Sequence, residues 1–435
     1  MLLEQGVQAQ ATSNLIPATD VLVITTALGF DDINDLHWQA LNQAREFVKN
    51  GGKRLILLQD TSGCFAAGPS NGWHGGMAAL AKTAALEWSG VKVQCIDVAV
   101  NQSDIRQTAQ RLLKALESGL PVVGVDMTGR LCALQSHELD THALQAAMRN
   151  VEVANFKDTD VWLVSGGARG VTANCLVELA GHVKGCFALL GRSTPVDWPT
   201  GIPVTDDIVD LRRKLAAKSI EAGERPVPKH IESLARQALA GEEIRRTLDQ
   251  LNEAGVSARY YACDITDQQS VFNVVANVRS ELGEITALIH GAGVLADSLL
   301  HDKTQDQLKK VFDTKVGGLK NLLAAIEHCP PAYTALFSSA AAFYGNTGQG
   351  DYAMANEILN RVAQSLKQHW PNAVVKSFNW GPWDSGMVDE TLARYFEDRG
   401  IGLIPVKEGS QLFASEMLAG DPARVELLVG DSWAG

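Results

Sequence analysis

The sequence predicts an α/β protein built of two doubly wound parallel sheets, the first of them truncated. Three observations carry this. At 435 residues the chain is too long for one ordinary core, so two units are expected. Short apolar runs alternate with helically spaced segments along most of its length, as a wound parallel sheet demands. A glycine-rich strand-to-helix turn opens the second half but not the first.

The first unit, residues 1–150 with its linker, starts with the apolar run "DVLVITTA" (20–27). A helical stretch follows around "LNQAREFVKN", then a strand, "KRLILLQD" (53–60). "GMAALAKTAALEW" (76–88) has helical spacing and "VKVQCIDVA" (91–99) reads as a strand. A strand pair around "PVVGVDMTGRLCALQ" (121–135) ends this unit, with Thr128 and Gly129 in the turn. After its first strand, "TTALGFDD" offers one glycine and then two carboxylates, so this unit is expected to be Rossmann-like yet nucleotide-free. The polar stretch from about 136 to 157 reads as a linker.

The second unit, 151–435, opens with "DVWLVSGGARGVTANCLVELA" (160–180). Its further strands are expected in "CFALLGRS" (186–193), "ARYYACDITD" (258–267), "ITALIHGAG" (285–293), "YTALFSSA" (333–340), "AVVKSFNWG" (373–381) and "RVELLVGD" (424–431). Between 194 and 257 lies an excursion rich in Lys, Arg and Glu, interrupted by Pro226 and Pro228. It is too long for a simple connection, and reads as an insertion of helices forming a solvated arm.

Composition excludes several functions. The net charge of −12 argues against general nucleic-acid or anionic-membrane binding. No run of about 18 apolar residues is present, and the first residues lack the basic and apolar regions of a signal peptide. The seven cysteines (64, 95, 132, 175, 186, 263, 329) form no CxxC, which suits reduced thiols in the cytoplasm and no metal site.

In "VWLVSGGARGVT" a strand runs into glycines and then a helix. Gly166 and Gly170 allow a tight turn and close approach to a pyrophosphate, which the helix N-terminus would hold. An NAD site places an acid about 20 residues past the glycines. Here the second strand ends in "LLGRS", and Arg192 stands 22 residues after Gly170. Arg192, with Arg169 in the loop, can pair a 2′-phosphate through charged, forked hydrogen bonds, so NADPH is the expected cofactor.

Ser339 and Tyr352 are thirteen residues apart, in "FSSAAAFYGNTGQGDYAMAN". A serine at a strand end can face a tyrosine at the start of the next helix, and both hydroxyls can then meet one carbonyl oxygen. A phenol with its free pKa near 10 needs a neighbouring cation to donate readily. Asn356, four residues on, carries no charge. Upstream, in "LKKVFDTKVGGLKNLL", Lys315 precedes two glycines.

This constellation resembles the ketoreductase domains of modular polyketide synthases and animal-type fatty acid synthases, within the short-chain dehydrogenase superfamily. In those, lysine and asparagine have exchanged places, which implies that Lys315 reaches Tyr352 from the earlier helix. The resemblance covers residues from about 20 to 431 and is carried by "HGAGV", "KVGGLKNL", "FSSAA", "GQGDYAMAN" and "NWGPWDSGM". It implies a structural subdomain followed by a catalytic one, with Ser339, Tyr352, Lys315 and Asn356 as the catalytic set. The expected cofactor-binding residues are Gly166, Gly167, Arg169, Gly170 and Val171 in the loop, and Arg192 and Ser193 after the second strand. Asp264, Ile265, Gly291, Ala292 and Gly293 complete them. Thr172 departs from the pattern, standing where a third glycine is usual. The insertion resembles that of iterative synthases of the polyunsaturated fatty acid type.

Ketoreductases giving a 3R-hydroxyl typically show Leu-Asp-Asp where this chain has Leu295, Ala296 and Asp297, and Tyr344 replaces the tryptophan of the opposite class. The resemblance therefore implies reduction of a carrier-bound 3-ketoacyl thioester to the 3R-hydroxyacyl product, with an acyl carrier protein and other synthase domains as partners. Asp297 could equally cap a helix for the following apolar turn. The segment after "NWGPWDSGM", containing "LARYFEDRG" (392–400), reads as a lid over the nicotinamide and acyl chain, with Gly381 and Gly386 as candidate hinges. Two other readings stand: a short-chain dehydrogenase acting on a free ketone, and a redox-inactive scaffold domain.

Overall fold

The computed structural model describes residues 10–11, 19–28, 33–67, 71–101, 103–152, 155–385 and 390–433. Gly29, Asp31 and Asp32 of the first turn, and Gly386, lie outside the described residues. The strands form two Rossmann-like sheets. The first comprises β1 (Val21–Ala27), β2 (Arg54–Gln59), β3 (Lys92–Val98), β4 (Val122–Val125) and β5 (Leu131–Cys132), in that spatial order. All pairings are parallel except the closing β4–β5 hairpin. Strand order never reverses in this sheet, so it lacks the switch point at which α/β sheets open a ligand crevice.

Residues alternate between faces along each strand. In β2, Leu55 and Leu57 pack under helices Ile33–Lys49 and Met77–Glu87, whereas Ile56 and Leu58 face helix Ile105–Glu117.

The second sheet comprises β6 (Val161–Ser165), β7 (Cys186–Gly191), β8 (Ser257–Ala262), β9 (Ile285–His290), β10 (Tyr333–Ser339), β11 (Val374–Trp380) and β12 (Glu426–Val429). Its order is β12-β11-β10-β9-β6-β7-β8, all parallel. The order reverses between β6 and β9, which opens a crevice at their carboxyl ends. Helices Gly170–Ala180 and Val406–Leu418 cover one face, and helices Gln268–Leu282 and Gly350–His369 the other.

Helix Gly350–His369 is the keystone between the two sheets. Apolar residues of the first unit, such as Leu36 and Met77, share one continuous core with Met354, Ile358 and Phe312. Because the helix is enclosed, its polar residues must find partners inside the protein. Arg361 is 0% exposed and donates to the Phe65 carbonyl of the first unit at 2.6 Å, while pairing with Glu357 and Glu426.

Two expectations change. The stretch at 136–157 is more than a linker: Asp140 caps helix Thr141–Met148, and Leu144 is buried. The insertion holds helices Ile208–Glu221 and Pro228–Glu253, but it is not a solvated arm. Its first part has a small core of its own around Leu211, Leu215 and Ile231, and Ile244 and Leu251 join the main core. Among the described residues no helix is long and apolar enough to cross a membrane. Cys64 comes to the β4–β5 turn, where its ligand atom and those of Asp126 and Cys132 lie within 4.8 Å of one another. Asp126 is already engaged there by Arg130 at 3.2 Å and by Thr128.

Candidate active site

The crevice at the β6–β9 switch point is a cleft of about 540 Å³. At one end lies the glycine turn after β6. Gly166 has φ +71° and would put a Cβ 2.6 Å from the Ala292 nitrogen, so the turn and its close packing require glycine. Helix Gly170–Ala180 has no side-chain cap, which leaves its first N–H groups directed at the cleft. Thr172 takes its unusual place because Gly291 faces it: a Cβ at 291 would meet the Thr172 hydroxyl at 2.3 Å.

Arg169, Gly170, Val171, Arg192, Ser193, Asp264, Ile265, Gly291, Ala292 and Gly293 all line the cleft with Gly166. Gly167 does not. It turns inward, where a Cβ would meet Val164 and Leu176 at 2.4 and 2.9 Å, and so serves packing. Arg192 is exposed and has no ion-pair partner among the described residues. Arg169 pairs with Glu243 of the insertion at 3.2 Å. An uncapped helix end, a glycine turn and an unpaired arginine fit an anionic dinucleotide.

The other end of the cleft gathers the hydroxyls. Ser339 ends β10 and caps the short helix Ala340–Tyr344, its Oγ accepting from Ala341 N at 3.2 Å. That bond uses an acceptor lone pair, so the hydroxyl proton stays available to the cleft. Tyr352 sits in the first turn of helix Gly350–His369, half-buried and lining the cleft. Burial, helped by the charge of Asp297, pushes its phenol up to about 12, against hydrogen bonding to Asn356 and Ser339.

Lys315 lies in a π-helical turn, Asp313–Gly317, at the end of helix Gln305–Phe312. Such turns re-aim a side chain within a helix. Its ammonium is 5.3 Å from the centre of the Tyr352 ring and donates to the Phe337 carbonyl at 2.8 Å. Burial brings its pKa down to about 7. Gly293 makes room for the chain, since a Cβ there would meet Lys315 Cε at 2.8 Å. Asn356 is 0% exposed, below the cleft wall; its Nδ2 donates to the Tyr352 carbonyl at 2.8 Å.

Sequence reasoning passed over His290, quoted only as part of "HGAGV". It is fully buried and bridges Ser165 Oγ at 2.7 Å and the Lys315 carbonyl at 2.9 Å. A carbonyl only accepts, so Nε2 carries the proton and Ser165 donates to Nδ1. Burial holds the ring neutral, with its pKa down to about 3. The imidazole thus fixes the backbone of the lysine turn to the sheet. Phe396, in the segment expected to form a lid, walls the cleft from the C-terminal side, as does Trp433, which was unforeseen. Gly381 is no free hinge, because its N–H is tied to the Val429 carbonyl at 2.7 Å.

Leu295 lines the cleft, whereas Asp297 is exposed beside it and accepts from Gln349 Nε2 at 3.1 Å. No helix starts at Asp297; the next, Gln305–Phe312, is capped by Thr304, so the capping alternative falls. Lys303 holds this loop, donating to the Ala296 carbonyl at 2.6 Å and to Asp351 at 2.9 Å, with both side chains at most 1% exposed. Lys303→Met would leave a buried carboxylate unpaired and is expected to cost about 3–5 kcal/mol in urea unfolding. A loss below about 1 kcal/mol would show the pair to be dispensable.

A family model described as "KR domain" matches residues 161–385, more than half of the chain. A polyunsaturated fatty acid synthase polypeptide of Thraustochytrium sp. (strain ATCC 26185 / S-3) is 34% identical over 82% of this chain and 13% of its own length. Polyketide synthase PksN of Bacillus subtilis (strain 168) is 32% identical over 90% of this chain and 6% of its own. The chain therefore spans a small part of these relatives. Among solved structures, a ketoreductase domain from the bacillaene assembly line superposes with TM-score 0.66 at 17% identity, over 97% of this chain and 94% of that one. A ketoreductase from the first module of phoslactomycin biosynthesis in Streptomyces sp. HK803 gives 0.67 at 19% identity, over 95% and 83%.

Proposed function

The chain belongs to the ketoreductase (KR) domain family, and from that premise we propose that it uses NADPH to reduce a carrier-bound 3-ketoacyl thioester to the 3R-hydroxyacyl thioester. Members of this family are nicotinamide-dependent reductases. The observation that carries the reading is the Lys315 ammonium, 5.3 Å from the ring of Tyr352 and borne on a different helix. A charge that close would stabilise the phenolate that forms when Tyr352 gives up its proton.

Gly166, Gly170 and Val171 would hold the pyrophosphate, Arg192 and Arg169 the 2′-phosphate, and Asp264 with Ile265 the adenosine end. When bound, NADPH supplies the hydride that adds to the ketone carbon. Ser339 and Tyr352 bind the ketone oxygen, and Tyr352 transfers its proton to that oxygen to complete the alcohol. The phenolate left behind is stabilised by Lys315, whose turn His290 fixes. Asn356 steadies the start of the tyrosine helix and adds its amide beside the phenol. The substrate arrives on the phosphopantetheine of an acyl carrier protein, within a larger synthase. The large size of the relatives supports this setting.

The test is NADPH oxidation against a short panel of 3-ketoacyl thioesters and simple free ketones. Turnover is expected on the thioesters; faster turnover of the free ketones contradicts the reading. The 3R outcome is supported by the Leu295-Ala296-Asp297 pattern and by Tyr344 standing in place of the opposite class's tryptophan. Chiral chromatography of the hydroxy product is expected to show mainly 3R, and a dominant 3S product would reject that outcome.

A further inference from the structure

The second strand brings no acid to the nucleotide end of the cleft, but the fold supplies one from the insertion. Glu243, in helix Pro228–Glu253, lines the same wall as Arg169, Arg192 and Ser193. Its Oε2 lies 3.2 Å from Arg169 Nη1. The helix that carries it is anchored to the glycine turn. Thr247, one turn on, is buried and donates to the Ala168 carbonyl at 2.9 Å. Ile244, beside Glu243, is 2% exposed and also faces the cleft. Glu243 itself is exposed, its side chain 51% accessible, but this anchored helix sets its place at the cleft wall.

We propose that Glu243 is a specificity-determining residue that competes with a dinucleotide's 2′-phosphate for Arg169 and so moderates the preference for NADPH over NADH. A phosphate at this end meets one arginine that is unpaired, Arg192, and one already engaged, Arg169. Binding must either draw Arg169 away from Glu243 or place two anions on one guanidinium. A nucleotide with a plain 2′-hydroxyl meets no such conflict. The inference rests on the NADPH reading above, and it gives the insertion a role in cofactor choice.

The test is isothermal titration of the whole protein with 2′,5′-ADP and with 5′-AMP, which differ at the 2′ position and in no other group. Wild type, Glu243→Gln, Arg169→Gln and the double variant are compared, with melting curves checking the fold. Glu243→Gln is expected to bind 2′,5′-ADP about two- to fivefold more tightly at low salt, with 5′-AMP unchanged. The gain should shrink in 0.5 M salt, a condition in which screening acts within about one contact distance, and vanish when Arg169 is already Gln. Unchanged or weaker 2′,5′-ADP binding in Glu243→Gln overturns the proposal alone, provided wild type binds both probes. If wild type binds neither, the nucleotide reading of the cleft fails with it.

Discussion

Tyr352→Phe is expected to lower kcat by about 10²–10⁴-fold, the usual share of a general acid, while NADPH still binds. The substitution removes one oxygen and keeps the ring. Packing against Lys315, 5.3 Å from the ring centre, is therefore preserved. The glycine turn and Arg192 are untouched, so quenching of tryptophan fluorescence by NADPH should persist. Ser339 remains to bind the ketone oxygen, but its hydroxyl is far less acidic than a phenol. Full turnover in Tyr352→Phe would remove the tyrosine from the mechanism.

Lys315→Met carries the second large effect. A unit charge 5.3 Å from the ring, at an effective dielectric of about 20, is worth about 3 kcal/mol, or roughly 10²-fold in rate. The loss should depend on pH. Burial brings Lys315 down to about 7, so it is an ammonium below that pH and a neutral amine above it. The wild-type kcat is expected to fall as pH rises through about 7, and this limb should be missing in Lys315→Met. Stability runs the other way. The folded pKa lies below the unfolded value of about 10.4, so the native state carries the cost of a buried ammonium in full below pH 7. Stability should rise between about 7 and 10.4, and Lys315→Met should exceed wild type most at acid pH. Identical pH dependence of both proteins in melting experiments would place the Lys315 titration elsewhere.

The parts of this molecule written locally in the chain are legible in its sequence alone. The strand runs, the glycine turn at 166–170 and the serine-to-tyrosine spacing are short-range patterns, and the sheets contain those strands. The partnership of Lys315 with Tyr352 is different. The two are 37 residues apart, and only resemblance to a family with a displaced lysine brought them together. His290 was missed because nothing near it in sequence announces that its ring will meet Ser165, 125 residues away. Glu243 was missed for a related reason: in a long charged insertion one carboxylate looks like any other. Only packing of its helix against the glycine turn picks it out. Gly167 shows the opposite error, in which a glycine of the motif faces the core instead of the cleft.

The central claim is that the charge acting on Tyr352 comes from Lys315 and not from the position four residues after it. The most direct measurement is the kcat of Lys315→Met set beside that of Asn356→Ala, on one 3-ketoacyl thioester at saturating NADPH and pH 6. Loss of a neutral amide hydrogen bond costs about 0.5–1.5 kcal/mol, roughly two- to tenfold. The lysine loss should therefore exceed the asparagine loss by about tenfold or more. Equal losses, or a larger one at Asn356, would contradict the account.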